Sequence, residues 1–202
     1  MQDKIQFIPE EDLKVTPVPF AALSQTQNWG MTIANIQDVW EVSKQGEGIK
    51  VAILDTGFSE HIDLVEAWKA DEAVNCTPEA SVNDQGSGHG VHVAGIIAGS
   101  DNDFGVVGVA PKAKCYAIRV LDNSGSGSYD TIAAGLRKAI DLEVDIINMS
   151  LGSPSEPPSF IHDLIKEAVS KGIVVVAAAG NDSHAVNYPA RYDEVIAVAA
   201  LD

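Results

Sequence analysis

An α/β fold, a three-layer arrangement of a mainly parallel sheet with helices on both faces, is predicted by three observations. Strand-like and helix-like segments alternate from residue 49 onward, the order that crossovers between parallel strands require. The strand segments 49–54 and 173–179 are nearly continuous apolar runs, as expected of strands covered on both faces. The helical segment 129–142 places Ile132, Leu136, Ala139 and Ile140 on one face, the stripe that packs on a sheet. With 202 residues and 46% hydrophobic content, the chain suffices for one domain with a substantial core.

Residues 1–23 stand apart from this pattern. Phe7-Ile8-Pro9-Glu10 and Val15-Thr16-Pro17-Val18-Pro19-Phe20 are extended and proline-punctuated, so the stretch reads as an arm. Ile36, Val39, Trp40 and Val42 suggest a short helix closed by Gly46 and Gly48. Residues 49–54 form a strand that delivers Asp55 at its carboxyl end, where ligands of open α/β sheets bind. Residues 66–87 are polar and irregular, a surface excursion. Residues 88–99, Gly-His-Gly-Val-His-Val-Ala-Gly-Ile-Ile-Ala-Gly, predict a helix opened by His89 and His92 and buried along its length. Its four glycines each cost about 1 kcal/mol against alanine, which implies close backbone approach. Strands follow at 114–121, 145–149, 173–179 and 195–200, with helices at 129–142 and 159–170 and a Gly- and Ser-rich loop at 123–128.

The 29 acidic and 13 basic residues give a formal net charge of −16. Nucleic acid and an anionic membrane surface are therefore excluded as partners, because either would repel the chain. Residues 1–12 contain no apolar run of signal-peptide length, and no window approaches the roughly 18 apolar residues of a membrane span. A cytoplasmic protein is expected. Cys76 and Cys115 make neither a disulfide framework nor a zinc spacing, and Cys115, in an apolar strand, reads as a small core residue.

Asp55 at a strand end and His89 at a helix start are the ionisable groups that this architecture would bring together at the carboxyl edge of the sheet. A carboxylate that accepts the imidazole Nδ1 proton fixes the tautomer and leaves Nε2 free as a base. The strand through Val176 ends in Gly180-Asn181, and an amide there would donate to a developing oxyanion, worth about 3 kcal/mol where such donors are known. Each residue alone has a plainer reading: a turn cap for Asp55, a structural histidine for His89, a turn former for Asn181.

Five segments, taken together, carry a resemblance. Val51-Ala52-Ile53-Leu54-Asp55-Thr56-Gly57, His89-Gly90-Val91-His92-Val93-Ala94-Gly95, Gly108-Val109-Ala110-Pro111, Ile147-Asn148-Met149-Ser150-Leu151-Gly152 and Ala177-Ala178-Ala179-Gly180-Asn181 resemble, in order, the motifs of the subtilisin family of serine proteases. The resemblance implies that Asp55 orients the imidazole, His89 is the general base and Asn181 donates to the oxyanion. It also implies that Gly125, Ser126 and Gly127 form one edge of a cleft and Ser150, Leu151 and Gly152 the opposite edge, binding an extended polypeptide by strand addition. Ala178, Ala179 and Gly180 would wall the primary specificity pocket, where small residues leave room for a large apolar side chain.

His92 matches a structural histidine of the motif, so the two histidines are not a metal clip; zinc would need a third ligand and a nearby carboxylate base. Residues 100–106 resemble the family's calcium loop. The implied ligands are Gln25, Asp63, Ser100, Asn102, Phe104 and Val106, an oxygen set suited to Ca²⁺; an acidic helix-exit loop is the plainer reading. The arm is similar to the extension of intracellular subtilisins, which lays a Leu-Ile-Pro-Tyr type segment across the active site. In Phe7-Ile8-Pro9-Glu10, Glu replaces the aromatic residue. Those acidic relatives also imply a homodimer.

Two departures qualify the resemblance. Val91 stands where the motif usually has Thr, nearly isosteric but without the hydroxyl. The family's nucleophile lies in a Gly-Thr-Ser-Met-Ala type segment downstream of the oxyanion Asn, and the 202 residues contain none. Ser150 and Ser153 belong to the substrate-binding strand, and no Gly-x-Ser-x-Gly elbow occurs. The expected organisation is an arm over 1–23 and the amino-terminal portion of a subtilisin-like peptidase domain over 24–202, inactive alone. Three readings follow: an incomplete copy of a serine endopeptidase, a catalytically dead peptide-binding pseudoprotease, and half of a split protease completed by a serine-bearing fragment. Without the helix that bears the serine, apolar surface at 173–179 and 195–200 is expected to be exposed. A dinucleotide-binding domain, the rival for this α/β pattern, would need a glycine fingerprint that Asp55-Thr56-Gly57-Phe58-Ser59 lacks.

Overall fold

The structure, a computed structural model, describes residues 5–7, 24–79, 81–84 and 86–200. The strands are β1 (Ile5–Phe7), β2 (Thr26–Gln27), β3 (Lys50–Asp55), β4 (Val74–Asn75), β5 (Val106–Val107), β6 (Lys114–Arg119), β7 (Ser126–Gly127), β8 (Ile146–Met149), β9 (Leu151–Gly152), β10 (Val174–Ala178) and β11 (Ile196–Val198). The α-helices are α1 (Trp29–Ile33), α2 (Trp40–Ser43), α3 (His89–Ala98), α4 (Tyr129–Asp141) and α5 (Ser159–Ser170).

Six strands form one parallel sheet in the order β11-β10-β8-β3-β6-β4. Strand β3 lies between β8 and β6 because its residues are apolar on both sides of the pleat. Ala52 and Leu54 face a cluster with Ile132 and Leu136 of α4 and Ile161 and Ile165 of α5, while Val51 and Ile53 face Val93, Ala94 and Ala98 of α3. Successive side chains of a strand point to opposite faces, so one short run holds both helical layers. Helix α4 starts at a reciprocal cap in which Ser128 and Thr131 satisfy each other's backbone N–H groups, a pairing that relieves two orphan donors.

Several elements differ from expectation. Helix α3 is not buried along its length: Gly90, Val93, Ala94 and Ala98 are buried, whereas His92 and Ile96 face outward. Its glycines also divide, for a side chain on Gly90 would meet the Gly57 carbonyl at 2.7 Å, while one on Gly95 would meet nothing within 4 Å. Residues 36–46 break into a 3₁₀ turn (Ile36–Val39), the short α2 and a second turn. Val42 is 88% exposed, so the apolar spacing there does not mark a core face. The excursion at 66–87 contributes the edge strand β4 and the buried Ala67 and Trp68. Apolar surface is exposed along β11 and at Val174 of β10, as expected, whereas Val175 and Ala177 lie on the opposite face of β10 and are buried, because α5 covers that face.

Candidate active site

Strand β3 ends by placing Asp55, 1% exposed, beneath the first residue of α3. Asp55 Oδ1 accepts a hydrogen bond from the Thr56 backbone N–H at 2.7 Å and lies 2.7 Å from His89 Nδ1. Asp55 Oδ2 is buried and has no hydrogen-bond partner among the described residues. The carboxylate therefore spends one oxygen on orienting the ring and its neighbour's amide. The His89 side chain is 21% exposed, so the ring sits between a buried acceptor and the surface. Gly57 and Gly90 permit this approach: Gly57 has φ +119°, and a Cβ on it would lie 2.3 Å from the Val82 carbonyl.

The loop before α3 is fixed from outside the helix. Gly88, at φ +69°, provides no side-chain cap. Instead Thr56 Oγ1 accepts from Gly90 N at 3.0 Å, and Asp84 accepts from Gly86 N, Ser87 N and Gly88 N at 3.1, 2.9 and 2.8 Å. Neither Thr56 nor Asp84 was singled out from the sequence. Thr56 stood in the Asp-Thr-Gly motif beside the acid, but Asp84 lay in the segment read as a polar excursion.

A strand-receiving cleft opens beside this pair. Strand β1 lies antiparallel between β7 and β9, with Ile5 opposite Gly127, Gln6 opposite both Ser126 and Gly152, and Phe7 opposite Leu151. The edges built from Ser126 and Gly127 and from Leu151 and Gly152 thus hold an extended segment of the chain itself, with Gly125 in the turn just ahead of β7. Ser150, just ahead of β9, accepts at Oγ from Asn148 Nδ2 at 3.0 Å. Next to β7 a cavity of about 400 Å³ is lined by Ser126, Gly127, Tyr129, Pro158 and Phe160, among others. The aromatic walls of that cavity were not picked out from the sequence either, because Tyr129 and Phe160 lie in the first turns of α4 and α5 and read as helix residues.

Ala178, Ala179 and Gly180 close β10 and are half-buried. Gly180 has φ +110°, and a Cβ there would lie 2.6 Å from Asn187 Nδ2, so this turn is reserved for glycine. Asn187, 5% exposed, donates from its backbone to Ala179 O at 2.8 Å and from Nδ2 to Asp182 Oδ2 at 2.9 Å. Asn181 lies in this loop with its residue surface exposed. His92, three residues along α3 from the candidate base, is exposed and faces the groove beside His61.

Away from this edge, the predicted calcium ligands do gather. Asp63 is buried, with Oδ1 accepting from Asn102 Nδ2 at 2.8 Å and Oδ2 from Val106 N at 3.0 Å. The Gln25 side-chain amide sits among Ser100 O, Asn102 Oδ1 and Phe104 O, at 2.5, 3.4 and 3.4 Å. Three oxygens thus converge on one polar atom, and half a turn of that amide brings Oε1 to the same place, since the two ends of a primary amide have the same shape. Gly105, at φ +69°, passes so near that a Cβ would lie 2.2 Å from Asp63 Oδ2. The donor set is amide, carbonyl and one carboxylate, which fits a hard cation. Among the described residues no three His, Cys, Asp or Glu side chains gather to hold a metal.

An open parallel sheet with an Asp–His pair at its carboxyl edge and a strand-receiving cleft beside it is an α/β architecture whose ionisable pair lies where the ligands of such sheets bind. The sequence profile of the subtilase family matches residues 46–202, and the chain belongs to that family. It is 46% identical over 181 residues to a thermostable alkaline protease of Halalkalibacterium halodurans, covering 89% of this chain and 49% of that protein. It is 42% identical over 185 residues to subtilisin DY of Bacillus licheniformis, covering 89% and 66%. It is 40% identical over 178 residues to the minor extracellular protease Epr of Bacillus subtilis, covering 87% and 27%. The chain thus spans about half the length of the first of these relatives.

Proposed function

We propose that this chain carries the general base, its orienting carboxylate and the oxyanion donor of a serine endopeptidase that cuts extended polypeptides. The observation that carries this reading is the 2.7 Å contact of His89 Nδ1 with Asp55 Oδ1, beside a cleft whose two edges already hold a strand. In this reaction Asp55 holds the Nδ1–H tautomer, and His89 Nε2 takes the proton of a serine hydroxyl as that oxygen attacks the scissile carbonyl. The same imidazolium then gives its proton to the leaving amine. Asn181 donates its amide N–H to the oxygen that becomes negative. The substrate backbone pairs with β7 and β9 as β1 does, and Ala178, Ala179 and Gly180 bound the pocket for its preferred side chain.

The serine is proposed to come from a subtilase segment that follows this half of the domain, in the same polypeptide or as a complementary fragment. Joining or mixing the chain with such a segment of a relative should produce hydrolysis of a chromogenic peptide. Asp55→Asn should then lower turnover by about 10⁴-fold, the size seen when a triad acid loses its charge. Hydrolysis that survives His89→Ala at full rate would remove the proposal. A second reading, peptide binding without turnover, is favoured by the strand pairing alone, which needs no nucleophile. Saturable peptide binding with no product at any stoichiometry of the added segment would select it.

The arm is proposed to block the cleft. Strand β1 uses the same edges that a substrate would, so deleting residues 1–23 should raise peptide affinity, and unchanged affinity would sink the idea. Ca²⁺ is proposed as a structural ion held by Gln25, Asp63, Ser100, Asn102, Phe104 and Val106. A homodimer, by analogy with acidic intracellular relatives, and a cytoplasmic site of action are further proposals, tested by sedimentation and cell fractionation. No described helix is long and apolar enough to cross a membrane.

A further inference from the structure

We propose that Thr56 and Asp84 are positioning residues that together clamp His89 onto Asp55, with Arg119 anchoring the loop that carries Asp84. This rests on reading Asp55 and His89 as the catalytic pair.

The clamp follows from the direction of its hydrogen bonds. Thr56 is fully buried, and its hydroxyl lies 2.6 Å from Asp84 Oδ2. A carboxylate only accepts, so the hydroxyl proton points to Asp84, and a hydroxyl–carboxylate bond of this kind is charge-assisted. With its proton so placed, Thr56 Oγ1 has lone pairs left to accept from Gly90 N at 3.0 Å. Its backbone N–H meanwhile donates to Asp55 Oδ1. One residue therefore touches the acid, the helix that bears the base, and Asp84.

Asp84 completes the grip from the other side. Its two oxygens accept from three successive backbone N–H groups, those of Gly86, Ser87 and Gly88, directly before His89. This is the approach to the amino terminus of a ten-residue helix, where negative charge is favourable. The loop is sewn to the end of β3 as well: Asp84 N donates to Phe58 O at 2.7 Å and Phe58 N donates to Val82 O at 3.0 Å.

Arg119, 1% exposed, fixes the loop from beneath. Its Nη1 donates to Ser81 O at 2.9 Å and Asn83 O at 2.6 Å, its Nη2 to Asn123 Oδ1 at 2.8 Å and to Glu79, and its Nε to Leu121 O at 3.2 Å. Arg119 pairs with Asp55 in the strand register, so the loop is pinned to the level of the sheet at which the acid sits. Gly88 has no side chain with which to cap α3; Ser87 Oγ accepts from His89 N at 3.1 Å, and Asp84, by accepting from Ser87 N, holds that serine in place while Thr56 grips the next turn at Gly90 N.

The test is nuclear magnetic resonance on the whole chain with labelled histidine, reading the His89 Nδ1 proton and its exchange with water. Thr56→Val keeps the shape and removes the hydroxyl; Asp84→Asn keeps the shape and puts a donor where an acceptor was. Both should speed exchange of that proton by about tenfold, as expected from the loss of one hydrogen bond of ordinary net strength. Thr56→Ser should restore the wild-type rate. Unchanged exchange in folded Thr56→Val and Asp84→Asn overturns the proposal. Loss of the fold in both overturns it too, since the two residues would then hold the domain rather than the base. The readout needs no hydrolysis, so a chain that shows the clamp yet never cuts a peptide counts only against the endopeptidase reading.

Discussion

The two faces of the central sheet differ in how completely they are covered. On the face packed by α4 and α5, Leu54, Ile118, Leu136, Ile147 and Ile165 are all at 0% exposure. On the opposite face α3 buries Ala94 and Ala98, but Ile96 remains 48% exposed. Beside it runs an apolar groove of about 940 Å³ lined by Trp29, Val91, Ile96, Val107 and Val109, among others. Cohesion is concentrated on one side and the candidate chemistry on the other, where His89 leads the half-covered helix. Packing that closes on itself specifies a fold, whereas a helix with one free face still has a surface to offer.

The largest test of this contrast is a pair of truncations. Leu136→Ala should cost about 3 kcal/mol in urea denaturation, the scale of a buried leucine lost to a cavity, whereas Ile96→Ala should stay within about 0.5 kcal/mol, as surface changes do. Equal losses would erase the distinction between the faces. Calcium comes next, because its proposed ligands link the start of the chain to the exit of α3. Saturation at about 100 times the dissociation constant should add about 2.7 kcal/mol, seen as a higher urea midpoint in CaCl₂ than in chelator. Asp63→Asn should abolish that difference.

Two smaller effects sharpen the picture. Burial pushes the Cys115 thiol up to about 12, and since the thiolate is the reactive form, alkylation of the native chain should leave Cys115 untouched until it unfolds. The smallest effect concerns Glu194, whose hydrogen bond from His162 holds its carboxyl below the usual range. A depressed carboxylate favours the folded state above its unfolded value, and that contribution fades as pH falls through the folded value. Glu194→Gln should therefore lower the urea midpoint slightly near neutral pH, and the difference should shrink as the pH falls into the acid range.

Much of the architecture was legible in the residues. The continuous apolar run of β3 and the stripe of α4 reflect burial on a repeating face, which acts locally. The placement of Asp55 against His89 was read from a strand end and a helix start at the carboxyl edge together with the family motifs, since neither residue alone announces the pairing. What stayed hidden depends on neighbours distant in sequence. Periodicity could not show that α3 keeps an open face, because apolar spacing records which residues could be buried and not whether anything covers them. Asp84 and Arg119 lie 35 residues apart in an irregular loop and a strand, and only folding brings the guanidinium under the loop. Val39 and Val42 misled in the opposite sense, as apolar residues on a short turn that stay exposed.

Strand β1 has a kinetic consequence. Because the strand that lies between β7 and β9 belongs to the same polypeptide as those edges, its occupancy of the cleft is a first-order affair, indifferent to how dilute the protein is. Under the proposed function, an incoming peptide would meet a rival that can never diffuse away, and cutting the chain behind β1 would turn that permanent rival into an ordinary, washable one.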